Sequence, residues 1–230
     1  MGGQDRVAVA FSGGLDSSVI AKSATKHADV VACTAYAGQS GDLNRAREAA
    51  EAMGLPLVAR ELTREDVVAA LPALDLPFAP SLMDRSLWCL YVAVSKSARG
   101  SGARVMLLGQ LADELFGGYA KYAEALKLGG GPAAESIMSA DLREYATRGR
   151  VRDVTACGGL VEPRLPFESR ELVEFVTSLP IDFKIRDGER KAVLRRAALF
   201  LGVPEKVANA PKKAAQYSSG VQRLVASSGF

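Results

Sequence analysis

The segment that decides the fold is RVAVAF, Arg6–Phe11, which runs directly into the turn SGGLDSS, Ser12–Ser18. A short apolar run with β-branched residues is typical of a buried parallel strand. Helical spacing follows from Leu15 to Lys26, so the glycine-rich turn connects a strand to a helix. In that position the backbone N–H groups and the helix dipole favour a bound anion, and glycine lets the backbone approach it closely. The turn therefore predicts a phosphate-binding loop.

Strands and helices alternate through the first half of the chain. The sequence predicts strands at Asp29–Tyr36, Leu57–Leu62 and Ala103–Leu108, and helices at Asp42–Met53, Thr63–Leu71 and Leu82–Arg99. This alternation is typical of a parallel sheet with helices on both faces. We therefore predict an α/β fold with a doubly wound parallel sheet.

The second half of the chain is mostly helical in pattern. The run Gly129–Pro132 predicts a loop, and helices are predicted at Ala140–Thr147, Ser169–Leu179 and Arg190–Leu201. We expect a single domain, residues 1–230, with an α/β core over about residues 1–125 and a helical, basic part over 126–230.

Composition excludes several classes of protein. The chain has 230 residues, of which 48% are hydrophobic and 24% charged, so a disordered or fibrous protein is excluded. Three isolated cysteines and one histidine argue against a disulfide scaffold and a zinc cluster. No apolar run is long enough to span a membrane, and the N-terminus lacks a signal-peptide core. These features predict a cytoplasmic protein.

Charge is distributed unevenly along the chain. The whole sequence has a formal net charge of +3, whereas Lys184–Phe230 alone contains ten basic and three acidic residues. A basic segment of this kind indicates either a phosphate-rich ligand, including nucleic acid, or a solvated basic surface.

A second motif, GQLADELFGGY, follows the predicted strand that ends at Leu108 and covers Gly109–Tyr119. In a parallel sheet, ligands bind beyond the carboxyl ends of the strands. Asp113 would then share a crevice with Asp16, and two carboxylates there can hold a magnesium ion against a triphosphate. The alternative is that Asp113 and Glu114 only begin a helix.

The SGGLDSS string resembles the PP-loop of ATP pyrophosphatases, which cleave ATP between its α and β phosphates. Together with the second motif it resembles the synthetase domain of asparagine synthetase, a domain also found in β-lactam and carbapenam synthetases. Three later segments resemble family motifs in the expected order: Glu162–Phe167, Arg190–Arg195 and Lys212–Val221. The resemblance implies the adenine nucleotide α-hydrolase-like fold of PP-loop proteins, with ATP and Mg²⁺ as cofactors.

The same resemblance implies roles for individual residues. Lys191, Gln110 and Asp113 would be catalytic, and Asp16 and Asp113 would bind the metal. The ATP or pyrophosphate site would consist of Ser12, Gly13, Gly14, Leu15, Asp16, Ser17, Ser18, Thr34, Ala35, Leu108, Gly109 and Lys191.

Further residues carry less specific expectations. Arg164 would either steady the site or form a structural ion pair. Lys212 and Lys213 would form either part of the site or a surface tail, and Gln216–Ser218 would order over the bound nucleotide and exclude water.

The chain departs from the family pattern at three points. Gln110 stands where the family has a glutamate, and a neutral amide cannot act as a general base. Glu168 lies one position before the family's acidic residue, which predicts a rearranged local ion pair. Because the PP-loop begins at Ser12, we expect a stand-alone form without the family's glutaminase domain. Ammonia would then come from solution or from a separate glutaminase subunit.

Three functions therefore remain open. The first is an AMP-forming amide ligase that activates a small carboxylate, by default aspartate, for attack by ammonia or an amine. The second is a PP-loop enzyme that adenylates a base in tRNA, with the basic tail on the RNA backbone. The third is an ATP- or AMP-binding regulator without catalysis, for which only Gln110 argues. A homo-oligomer is compatible with all three, and no membrane partner is expected.

Overall fold

The structure is a computed structural model that describes residues 6–210 and 220–229. Five parallel strands form its central sheet, in the order β3-β2-β1-β4-β5. The strands are β1 (Arg6–Ala10), β2 (Asp29–Tyr36), β3 (Leu57–Glu61), β4 (Val105–Leu107) and β5 (Glu162–Arg164). All the strands predicted from the sequence are present, and β5 is an additional edge strand.

Helices cover both faces of this sheet, which confirms the doubly wound architecture. One face packs against α3 (Arg64–Ala70), α4 (Leu82–Gly100), α7 (Arg150–Cys157) and α12 (Val221–Ser227). The other packs against α1 (Leu15–Ala24), α2 (Gly41–Met53), α5 (Ala112–Phe116), α8 (Arg170–Ser178), α10 (Ala192–Leu201) and α11 (Glu205–Ala208). Successive side chains of β1 point to opposite faces of the sheet and so contribute to two hydrophobic cores. Ala8 belongs to the core on the first face and Val9 to the core on the second.

Local chemistry sets the helix ends close to where the sequence places them. Thr63 caps α3 and Ser81 caps α4, and each forms a reciprocal capping box with an aspartate three residues later. Gly54, with φ of 65°, ends α2 in the left-handed conformation. Within the described ranges, no helix combines the length and apolar character needed to cross a membrane.

The predicted loop at Gly129–Pro132 is wrong. Helix α6 runs through it from Ala120 to Glu144, and only Gly130 leaves the helical conformation, with φ of 72° and ψ of −171°. The break is therefore a kink between two helical arms. Its second arm is held because Ala134 and Met138 are buried in a separate cluster with Tyr122, Ile181 and Ile185.

A short hairpin leads into helix α10. After α9 (Ile181–Lys184), strands β6 (Ile185–Arg186) and β7 (Glu189–Arg190) pair antiparallel. Helix α10 consequently begins at Ala192, two residues later than predicted, with Lys191 as its cap. The hairpin therefore ends directly before Lys191.

The three cysteines are free and buried, which makes them poor nucleophiles. Burial raises the pKa of Cys33 and Cys157 to about 12 and that of Cys89 to about 11. We expect the native protein to resist a thiol-alkylating reagent near neutral pH, because the reactive thiolate is scarce. Mass spectrometry should find all three modified only after denaturation. Rapid modification of any of them in the native protein would contradict this expectation.

Candidate active site

A cavity of 820 Å³ lies at the carboxyl ends of β1, β2 and β4. It brings together most of the site residues predicted from the sequence: Ser12, Gly14, Leu15, Asp16, Ser17, Thr34, Ala35, Gly109, Gln110, Asp113 and Lys191. Three predicted residues do not line its wall. Gly13 shapes the backbone of the turn, whereas Ser18 and Leu108 are fully buried behind it. The volume is in the range of small-molecule sites.

The PP-loop is shaped by its glycines and serines. Gly13 has φ of 68°, and a Cβ there would lie 2.5 Å from the carbonyl oxygen of Arg45, so no other residue fits without movement. Gly14 N donates to Ser12 Oγ at 3.3 Å, and Ser17 Oγ donates to the Gly14 carbonyl at 3.2 Å. The turn thus presents hydroxyls and N–H groups together at the start of α1.

Lys191 lies between the two predicted metal ligands. Its Nζ is 2.6 Å from Asp16 Oδ1 and 2.7 Å from Asp113 Oδ1, and its side chain is only 5% exposed. Burial alone would lower the pKa of Lys191, but the two carboxylates outweigh it and hold the pKa above its ordinary value. The lysine is therefore a permanent cation beside the PP-loop.

The donor set at this point fits a magnesium ion. Asp16 and Asp113 come from different elements and already converge on one compact cation. In proteins Mg²⁺ commonly takes one or two carboxylates and completes its shell with phosphate oxygens and water. Among the described residues no group of three or more His, Cys, Asp or Glu side chains could hold a metal, so phosphate oxygens and water would have to complete the shell.

Gly118 leaves the space that this cluster occupies. A Cβ at Gly118 would overlap Asp113 Oδ1 and Lys191 Cε. We expect Gly118→Ala to push these two side chains apart and lower any ATP-cleaving activity by about tenfold or more, at a cost in stability of about 1–3 kcal/mol. Gly100→Ala is the matched control, because nothing lies within 4 Å of its added methyl group. Equal activity of the two variants would contradict the expectation.

Gln110 is held by a buried ionic network that the sequence did not reveal. Its Nε2 donates to Asp153 Oδ2 at 2.7 Å, and Asp153 Oδ1 accepts from Arg152 Nε at 2.7 Å. Arg152 also binds Asp84 through Nη1 at 2.8 Å. Burial raises the pKa of Asp153, whereas Arg152 and Gln110 favour its ionised form.

The carboxyl group of Glu114, which also lines the cavity, is hydrogen-bonded to a tyrosine. Tyr119 Oη donates to Glu114 Oε1 at 2.7 Å, and burial raises the pKa of Glu114. Asp113 and Glu114 lie in the first turn of α5, as the helix-start alternative predicts, and the metal-binding role of Asp113 stays a prediction.

Sequence reasoning missed several basic residues of the cavity. Arg45 supports the PP-loop, since its Nε donates to the Ser12 carbonyl at 3.1 Å. Arg190 donates to the Gly118 carbonyl at 2.9 Å, and Arg195 in turn binds the Arg190 carbonyl at 3.0 Å. Both lie in the segment singled out for its family resemblance, which was the available signal.

The structure places two of the residues that carried less specific expectations, Arg164 and Glu168, in ion pairs. Arg164 lies outside the cavity wall and pairs with Glu162 at 2.7 Å on the surface, so of its two predicted roles the structure places it in the ion pair. Glu168 pairs with Arg150 at 2.9 Å. Lys212, Lys213 and Gln216–Ser218 lie outside the described residues.

Sequence comparison gives relatives of one kind. A family model described as asparagine synthase matches residues 1–157 and 129–227. An asparagine synthetase-like protein of Methanocaldococcus jannaschii is 30% identical over 261 residues, which cover 97% of this chain and 47% of that protein. An asparagine synthetase of Bacillus subtilis is 35% identical over 121 residues, covering 51% of this chain and 19% of its own length. The chain therefore spans less than half the length of these relatives.

Comparison with solved structures gives more distant matches. The U34-tRNA thiolase NcsA from Methanococcus maripaludis superposes with a TM-score of 0.43 and 13% identity, covering 98% of this chain and 71% of that one. A likeness this distant says nothing about activity. The family match covers nearly the whole sequence, and we conclude from it that the chain belongs to the asparagine synthase family, whose members use ATP.

Proposed function

We propose that the chain is an AMP- and pyrophosphate-forming amide ligase. A substrate carboxylate oxygen would attack the α-phosphorus of ATP, the bond to the β-phosphate would break, and pyrophosphate would leave. Ammonia or an amine would then attack the acyl carbon of the resulting acyl-adenylate and displace AMP. Aspartate is the first acid to test, because the relatives of this chain are asparagine synthetases.

The observation that carries this proposal is the position of the Lys191 ammonium. It lies within 2.7 Å of Asp16 on the PP-loop and of Asp113 in the first turn of α5. A buried cation at the start of a phosphate-binding loop can stabilise charge that develops on a leaving phosphate. A surface that only bound nucleotide would have no need of this cluster.

The remaining residues would bind and orient ATP. The N–H groups and hydroxyls of the PP-loop would hold the β and γ phosphates, and the backbone near Thr34 and Ala35 would meet the adenine. Asp16 and Asp113 would hold Mg²⁺, which when bound neutralises phosphate charge. Lys191 would shift from the two carboxylates towards the bridging oxygen between the α and β phosphates.

The experiment follows AMP and pyrophosphate from α-labelled ATP in the presence of Mg²⁺. Aspartate, glutamate and other small acids are tested with and without ammonium, and bulk tRNA is a separate arm. We expect AMP formation to require one acid and an amide to accumulate when ammonium is added. AMP that forms only with tRNA would replace this proposal with base adenylation, and binding of ATP without any AMP would replace it with a nucleotide sensor.

A glutaminase subunit as ammonia source is tested by adding glutamine to a cell extract that contains the tagged protein.

A further inference from the structure

The surroundings of Gln110 favour one orientation of its amide group. Its neighbour Asp153 is fully buried, and the carboxylate accepts hydrogen bonds but cannot donate them when ionised. Gln110 Nε2 donates to Asp153 Oδ2 at 2.7 Å, which matches the ionised form of Asp153 that the adjacent Arg152 guanidinium favours. The carbonyl oxygen of Gln110 is then left on the side of the cavity that the residue lines.

Asp153 is fixed from behind. It lies on α7 outside the cavity wall, and its second oxygen accepts from Arg152 Nε at 2.7 Å. Arg152 is tied in turn to Asp84 on α4, and the side chains of the pair are 6% and 5% exposed. Because Arg152 can only donate, Asp153 cannot turn without breaking a buried charge-assisted bond. The orientation of Gln110 is therefore set by Asp153, which the buried ion pairs of Arg152 hold in place.

Position 110 also lies next to the reacting phosphates of the proposed site. Gly109, its neighbour, is so close to the PP-loop that a Cβ there would lie 3.3 Å from Ser17 N. A glutamate at position 110 would place a second carboxylate against Asp153, and like charges at hydrogen-bond distance disfavour each other. A neutral amide is therefore the residue type that this network accepts.

We infer that Asp153 is a positioning residue that turns the Gln110 carbonyl towards the amine nucleophile of the proposed reaction. The inference rests on the proposed ligase function. The carbonyl of Gln110 accepts one N–H of the amine, which attacks the acyl carbon with its free electron pair. The C–N bond forms, the bond from carbon to the AMP oxygen breaks, AMP takes the electron pair, and the surplus N–H proton passes to water.

The first test is Asp153→Asn. Because Arg152 only donates, the new amide must offer it the oxygen and turn its own NH₂ towards Gln110. Gln110 then has to reverse, which presents NH₂ instead of a carbonyl oxygen to the amine. We expect the KM for ammonia to rise about tenfold, the loss of roughly one hydrogen bond, while the KM for ATP changes less than about twofold. This split between the two substrates would not follow from a purely structural role.

Asp66→Asn is the matched control. It likewise removes one carboxylate from an ion pair with an arginine, Arg60 at 3.0 Å, and should lower the melting temperature, but Asp66 belongs to the capping box of α3 outside the cavity wall. We expect its KM for ammonia to stay within about twofold of the wild-type value. Equal rises of that KM in both variants would overturn the inference.

A reciprocal exchange tests the contact independently of activity. Gln110→Glu should lower the melting temperature by about 6–12 °C, because it sets two carboxylates against each other in a buried site. Gln110→Glu combined with Asp153→Asn recreates the hydrogen bond with donor and acceptor exchanged, and should recover at least half of that loss. No recovery would overturn the role of Asp153 even if the proposed ligase activity were absent. Absence of AMP in the wild type with every acid would refute the proposed function instead.

Discussion

Replacement of Lys191 by methionine is expected to lower AMP formation by about 10²–10³-fold. Methionine keeps the length and apolar stem of lysine but removes the cation that lies within 2.7 Å of Asp16 and Asp113. Charge that develops on the departing pyrophosphate would then have no fixed ammonium to meet it. Single-turnover formation of labelled AMP, with the protein in excess over ATP and with saturating Mg²⁺, is the measurement, because it reports the chemical step.

Lys206→Met controls for the loss of a paired lysine. Lys206 also forms an ion pair, with Glu48 at 2.9 Å, but its side chain is 82% exposed on α11 and lies outside the cavity wall. Exposed pairs of this kind contribute little, so AMP formation should stay close to the wild-type rate. A Lys191→Met variant that retained activity within about threefold of wild type would remove this lysine from the proposed chemistry.

The loss in Lys191→Met should be accompanied by a change in metal-dependent stability. In the wild type, Lys191 and Mg²⁺ would compete for the same two carboxylates. Without the lysine, Asp16 and Asp113 lose the cation that lies within 2.7 Å of both, so the metal meets less competition for these carboxylates. Mg²⁺ alone should therefore raise the melting temperature of Lys191→Met more than that of the wild type.

The part of the fold that carries the PP-loop follows directly from its sequence. An apolar strand, a turn with Gly13 and the start of a helix lie within fewer than twenty residues, so local pattern and tertiary structure agree. The same holds for Gly109 and Asp113, because a parallel sheet gathers the carboxyl ends of its strands. These two segments supply most of the cavity residues that were predicted.

Elements whose signal is short or depends on distant contacts were missed. Strand β5 has three residues and contains Pro163, which is tolerated because the strand lies at the sheet edge. The kinked helix α6 crosses Gly129–Pro132, where sequence alone favours a loop, because burial of Met138 holds its second arm. The hairpin before Lys191 had a usable signal in Asp187-Gly188, both with positive φ.

The network behind Gln110 could not be read from the sequence. Asp153 meets Gln110 across 43 residues, and Arg152 meets Asp84 across 68. Each of these residues is unremarkable in its local stretch, since charged side chains on helices are usually solvated. These residues are buried together only because α7 packs against α4. The sequence therefore shows that Gln110 replaces a glutamate, but it does not show that Asp153 lies beside Gln110.

Replacement of Asp16 by asparagine is expected to lower AMP formation by about 100-fold and to raise the Mg²⁺ concentration needed for half of the remaining rate by about tenfold. Asparagine keeps the shape of the side chain, but its carbonyl is a weaker ligand for Mg²⁺ than a carboxylate. Lys191 would then be left with Asp113 alone, so the lysine and the metal would compete for a single carboxylate. The measurement is a Mg²⁺ titration of AMP formation at saturating ATP.

Asp29→Asn is the control for this titration. Asp29 also pairs with a basic residue, Arg6 at 2.7 Å, but it starts β2 and so lies at the amino ends of the strands, away from the cavity. Its Mg²⁺ dependence should match that of the wild type. The two possible roles of Asp16 predict different curves, because a ligand shifts the midpoint of the titration whereas a residue that only shapes the PP-loop lowers the rate at every Mg²⁺ concentration. An unchanged midpoint in Asp16→Asn would therefore assign Asp16 to the structure of the loop and leave the metal to Asp113.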